Sequence, residues 1–168
     1  MKKLFLLLLI IIVPIFSCTG KEKMGFGQRD KMNKQMAYKI VELINAKDIE
    51  GLYNLFSEEV KESDLTLKED IGKLFPYLNG KIVSCEEYGI AMKGGIEKEK
   101  NSTRYESEFK IKIKDTVYFM YYDYTVRNDF SPKKEGLRFI KIFKESEQEK
   151  YFCYWDLIKS GIFLPDEN

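Results

Sequence analysis

The sequence predicts an α+β fold, with three N-terminal helices packed on a curved, mostly antiparallel sheet. Three observations carry this. Apolar residues recur at helical spacing between positions 32 and 78, and after Gly80 the period drops to two. Residues 116–128 are then almost all β-branched or aromatic, the types that fit a pleated, packed surface. Helices followed by a run of strands is the α+β order.

Residues 1–17 read as a leader rather than as part of the fold. Lys2 and Lys3 precede an apolar run at 4–16, interrupted only by Pro14. That run is shorter than the roughly 20 apolar residues a membrane span needs, and it has the layout of a secretory signal. It runs through Ser17 directly into Cys18, which resembles the lipobox of bacterial lipoproteins, where the cysteine is lipidated and becomes the mature N-terminus. The expected organisation is a signal peptide at 1–17, a tether at 18–30 leading from lipidated Cys18, and one domain at 31–168. Such a protein sits outside the cytoplasm, held to the cell membrane by its lipid. Gly20, Gly25 and Gly27 lie among charges in the tether, which fully extended reaches about 40 Å.

Loss of Lys2 and Lys3 with the leader turns 28 basic and 27 acidic residues into 26 and 27. A mature chain so close to neutrality has no electrostatic footprint for nucleic acid. Its size suits one domain, in which roughly two thirds of the unfolded surface is buried without metal or disulfide staples.

Each element has its own pattern. Met32, Met36, Ile40, Leu43 and Ile44 form the apolar stripe of a first helix. Asp48 caps a second, whose stripe is Ile49, Leu52, Tyr53, Phe56 and Val60. A third begins at Thr66, where Thr-Leu-Lys-Glu reads as a capping box, and it ends at Asn79-Gly80 after Pro76. Residues 81–92 form a first strand, and Gly94-Gly95 opens a charged loop through Arg104. Residues 105–114 place Phe109, Ile111 and Ile113 on one face, and Asp115 turns the chain into the central strand, 116–128. There Tyr118, Met120, Tyr122, Tyr124 and Val126 share one face, and Val117, Phe119, Tyr121, Asp123 and Thr125 the other. Both are largely apolar, so the strand is covered on both sides. Residues 137–144 and 150–158 complete the strands, with Gly161-Ile162-Phe163 as a short tail.

Ala46-Lys47-Asp48-Ile49-Glu50-Gly51-Leu52-Tyr53-Asn54-Leu55-Phe56-Ser57 resembles the helix-turn-helix signature of the nuclear-transport-factor-2-like superfamily, a cone-shaped α+β roll. Asn79-Gly80-Lys81-Ile82, Tyr124-Thr125-Val126 and the stretch from Pro132 to Gly136-Leu137 resemble a family of Gram-positive bacterial lipoproteins, domain of unknown function 5104. The likeness spans roughly residues 31–163. It implies the roll fold and a lipid anchor, and it supplies no catalytic residues.

The chain contains no histidine, which removes the usual activator of serine or cysteine nucleophiles and the commonest metal ligand. Beyond Cys18 only Cys85 and Cys153 remain, too few for a zinc site. No metal and no cofactor is expected. Cys85 and Cys153 both fall in expected strands, and secretion permits their oxidation to a disulfide; two buried free thiols are the alternative.

Tyr118, Tyr122, Tyr124 and Trp155 are the candidate lining of a pocket for a small apolar or aromatic ligand. Ketosteroid isomerases, within the resembled superfamily, pair an aspartate base with a tyrosine-containing oxyanion hole, so Asp123 and Asp156 are the candidate acid and base of an alternative isomerase or hydrolase. On the plainer reading the tyrosines pack and the aspartates sit exposed at strand ends. The expected function is a membrane-anchored binding or interaction domain. A homodimer through the sheet face is also expected, because only one face of the central strand can meet the helices.

Overall fold

The computed structural model describes residues 26–97, 100–151 and 160–165. Helices α1 (Phe26–Ala46), α2 (Ile49–Leu55), α3 (Glu58–Ser63) and α4 (Leu67–Leu78) come first. Strands β1 (Ser84–Glu97), β2 (Lys100–Ile113), β3 (Thr116–Asn128) and β4 (Gly136–Lys144) follow, then helix α5 (Gln148–Tyr151) and strand β5 (Gly161–Phe163). The described strands form one sheet in the order β1-β2-β3-β4-β5. The first four are antiparallel neighbours, and β5 runs parallel to β4. The aromatic stretch is therefore the middle strand, and residues 118–123 are all buried.

Several elements differ from their sequence patterns. The expected second helix is two helices, because Phe56 turns extended and bridges Leu137. The Ser57 amide donates to the Leu137 carbonyl at 3.0 Å, and the Ser57 hydroxyl oxygen caps α3 by accepting from the Val60 amide at 3.3 Å. A long-range backbone pairing thus overrides the local stripe. It depends on Gly136, whose φ of 121° favours glycine and where a Cβ would lie 2.7 Å from the Ser57 nitrogen.

Helix α1 begins at Phe26, so residues 26–30 of the expected tether are helical. Its buried line is Asn33, Ala37, Ile40 and Ile44, with Met32 and Met36 half-buried beside it. Thr66 makes no capping hydrogen bond to α4; its hydroxyl lies between the carboxylates of Asp64 and Asp70. Asn79 ends α4 in the left-handed conformation, and Pro76 is accommodated inside the helix.

The stretch expected to loop from Gly94 to Arg104 is strand on both sides of a hairpin, with Lys93 opposite Arg104 and Gly94 opposite Thr103. Lys150 and Tyr151 close α5 rather than open a strand, and residues 161–163 are a sheet strand rather than a tail.

The two faces of β3 bury different layers. Tyr118, Met120 and Tyr122 join Phe109, Ile111 and Ile142 against Ile40, Leu52, Ile71 and Leu74 of the helices. Phe119 and Tyr121 join Phe139, Phe143 and Tyr151 on the opposite face, with Phe163 packed beside them. Tyr121 and Phe143 stack at 5.4 Å, an arrangement worth about 1 kcal/mol beyond burial alone. Phe119, Tyr121 and Phe143 are at most 1% exposed within one chain. The face whose exposure motivated a homodimer is therefore covered without a second copy.

Candidate functional site

Of the expected pocket residues, Tyr118 and Tyr122 belong to the core. The Tyr122 hydroxyl lies 2.7 Å from both the carbonyl and the side-chain oxygen of Asn33 on α1, and the Ser107 hydroxyl donates to the same side-chain oxygen at 2.7 Å. The Tyr122 ring stacks on Phe109. Tyr118 packs edge-on to Tyr77, and Tyr124 is half-buried against the same layer. These side chains help fill the space between helices and sheet. Trp155, Asp156, Cys153 and Cys18 lie outside the described residues. Cys85 is a half-buried free thiol whose pKa burial pushes up to about 11, with help from Glu86.

Asp123 is not exposed at a strand end. It sits in the middle of the sheet, with no solvent exposure, and buried carboxylates persist only when paired. Its partners come from both neighbouring strands. Arg138 Nε on β4 lies 2.9 Å from one carboxylate oxygen, and Arg104 Nε on β2 lies 3.5 Å from the other. The contacts are Coulombic, since among the described residues neither oxygen has a partner in hydrogen-bond geometry. Burial pushes the Asp123 pKa up, and the two guanidinium groups pull it back only in part.

The pairing continues outward. Arg104 Nη2 donates to Glu106 at 2.6 Å, and Lys93 Nζ on β1 donates to the same oxygen at 2.8 Å. Burial pushes Glu106 up, but Lys93 and Arg104 outweigh it and hold this carboxylate below its ordinary range. The result is a ladder of alternating charges across β1–β4, from Lys93 through Glu106, Arg104 and Asp123 to Arg138.

Two register shifts aim this ladder. The β2–β3 pairing slips at Thr103/Arg104, and the β3–β4 pairing slips at Asp123/Tyr124, leaving Arg138 as the extra residue between Leu137 and Phe139. Bulges of this kind redirect side chains beside functional sites. Here they turn both arginines toward one open cleft of about 540 Å³, within the range of small-molecule sites.

Strand segments form one part of the cleft, through residues that include Lys93, Thr103, Arg104, Thr125 and Arg138; Ser57, Glu59 and Ser63 at α3, with Lys134 and Ser160, lie among the other described residues of its wall. Lys134 Nζ lies 3.8 Å from Glu59 of α3. Among the described residues the lining is cationic and hydroxyl-rich and includes no aromatic ring.

A family model described as "Domain of unknown function (DUF5104)" matches residues 39–145. The chain belongs to that family. The match contains Lys93, Arg104, Asp123, Lys134 and Arg138, and it stops short of Tyr151 and Ser160. No curated protein matches the chain. Among the described residues no cluster of three or more acidic or cysteine side chains is placed to hold a metal ion. None of the described helices is long and apolar enough to cross a membrane.

The sequence reading missed Arg104 and Arg138 as a pair. One available signal was Asp123 itself, a charge inside a strand apolar on both faces, which requires counter-cations from adjoining strands.

Proposed function

We propose that the chain is a membrane-anchored extracytoplasmic binding domain rather than an enzyme, and that the cleft above Asp123 holds its ligand. One observation carries this reading: Tyr118 and Tyr122 are packed into the core between helices and sheet, whereas the open cleft is lined mostly by charged and hydroxyl side chains. An acid–base enzyme in the manner of the isomerases needs its carboxylate in reach of substrate. Asp123 is enclosed and flanked by guanidinium groups, and among the described residues no tyrosine lines the cleft.

Two further parts belong to the proposal. The finer fold is the nuclear-transport-factor-2-like roll, supported by the helix order, by the Asp48-capped α2 and by antiparallel strands bent at three register shifts. The anchor is a lipid on Cys18, supported by Lys2, Lys3 and the apolar run that ends at the cysteine. Mass spectrometry of the mature N-terminus should find Cys18 lipid-modified; an unmodified terminus elsewhere contradicts the anchor.

The site is tested by ligand-induced thermal stabilisation of the full chain in detergent, using neutral polar, anionic and aromatic compounds. Ser63 is exposed on the cleft wall, so Ser63→Trp fills the cleft without touching the core. It should abolish stabilisation by any hit while leaving the unliganded melting temperature within a few degrees. Hits that survive Ser63→Trp contradict the location. Turnover of a substrate, lost in a folded Asp123→Asn variant, contradicts the non-enzymatic reading.

A further inference from the structure

The chemistry of the cleft lining selects a ligand class. This step rests on the cleft being the ligand site. Among the described residues four cations line it, Lys93, Arg104, Lys134 and Arg138. Three carboxylates pair with them, Glu106, Asp123 and Glu59. Among the described residues the set carries one uncompensated positive charge, which favours a monoanion over a neutral molecule or a dianion.

The unbalanced charge is best placed on the arginines. Asp123 draws one guanidinium from β2 and one from β4 toward itself, each through Nε. Among the described residues Arg138 makes no other ion pair; its guanidinium lies 5.2 Å from the Phe139 ring centroid, and 41% of its side chain is exposed. Its terminal nitrogens are thus available as a planar fork, the geometry that matches a carboxylate bidentately. A neighbouring lysine-only site would offer point charges without that planarity.

Most of the remaining described lining is neutral hydroxyls and one amide, Ser57, Ser63, Ser102, Thr103, Thr125 and Asn128, with Val60 and Gly94 between them. Such groups exchange hydrogen bonds with a polyol and give no stacking surface to an aromatic body. A hydroxyl-rich body bearing one planar oxyanion satisfies both halves of the site.

We propose that the cleft binds a sugar acid, its carboxylate on the Arg104–Arg138 pair and its hydroxyls on the serine, threonine and asparagine wall. Glucuronate is the simplest probe. Glucose carries the same body without the charge, acetate the charge without the body, and glucose 6-phosphate a dianion in place of the monoanion.

Calorimetric titration of the full chain in detergent should give glucuronate an affinity at least tenfold above glucose, acetate and glucose 6-phosphate, falling as salt rises. Arg138→Lys keeps the charge over Asp123 and removes the fork, and should weaken glucuronate at least tenfold. Lys134→Gln, at the exposed rim, tests the charge balance without risk to the fold and should weaken it several-fold. Equal binding of glucuronate and glucose, or unchanged affinity in both variants, overturns the inference. If the probes fail but another compound stabilises the chain in a Ser63-dependent way, the sugar-acid assignment falls and the binding domain stands. If no compound does so, the binding reading itself falls.

Discussion

Replacing Lys141 with methionine should flatten the dependence of stability on alkaline pH. Lys141 lies on β4, 1% exposed, on the face opposite the helices. Its ammonium donates to the Tyr151 carbonyl at 2.6 Å. It stands 5.0 Å from the Phe163 ring centroid, 5.1 Å from Phe143 and 6.0 Å from Tyr151. Among the described residues no carboxylate pairs with it, and burial lowers its pKa from 10.5 to about 8. The unfolded chain holds this proton until its ordinary pKa, whereas the folded chain releases it near 8. Between those values the unfolded state binds more protons, so stability rises with pH.

At pH 7 the folded chain carries the charge at a cost of about 3 kcal/mol relative to an unperturbed lysine, and by pH 9.5 about 2 kcal/mol of that cost is gone. Lys141→Met removes both the cost and the slope, but it leaves the Tyr151 carbonyl without its donor, a loss of about 1–3 kcal/mol. The two proteins should therefore differ little at pH 7. Guanidinium denaturation at intervals from pH 7 to 9.5 measures the difference. Cys85 and the buried tyrosines titrate in both proteins and cancel in the subtraction. A wild-type-minus-variant difference that rises by about 2 kcal/mol supports the argument. A flat difference refutes it.

Gly136→Ala should destabilise the chain by at least 1–3 kcal/mol, since φ is 121° and the new Cβ would meet the Ser57 backbone; equal denaturation midpoints would remove Gly136 from the docking of α2 and α3. Tyr122→Phe leaves the Asn33 side chain with Ser107 as its hydroxyl partner and should cost about 1–2 kcal/mol. That loss should come without change in ligand stabilisation, because Tyr122 lies outside the cleft lining; lost ligand response would return the tyrosines to the site.

The central strand was legible because its residues leave no alternative: no soluble face fits Thr116–Asn128. Helix α4 was legible from its stripe and from Asn79. The break between α2 and α3 was harder. Phe56 continues the spacing of Leu52, and only its bridge to Leu137, far along the chain, pulls it out of the helix. Ser57-Glu58-Glu59, a cap followed by an acidic first turn, was the local trace of that break. The β1–β2 hairpin was hidden by composition, since glycines and charges read as loop until cross-strand pairing is known. Alternation showed that β3 had two faces but could not show that two guanidinium groups from its neighbours meet Asp123 in the middle of one of them. The cleft depends on two register shifts, and register is a relation between strands that no single stretch displays.

Arginine side-chain NMR of the full chain in detergent, titrated with glucuronate, tests the account most directly. The Nε resonances of Arg104 and Arg138 should shift together and saturate. Arg127, paired with Asp129 through both Nε and Nη2 and absent from the cleft lining, should stay in place. Shifts confined to Arg127, or no arginine shift at saturating glucuronate, would contradict the claim that the Asp123-held pair is the binding site.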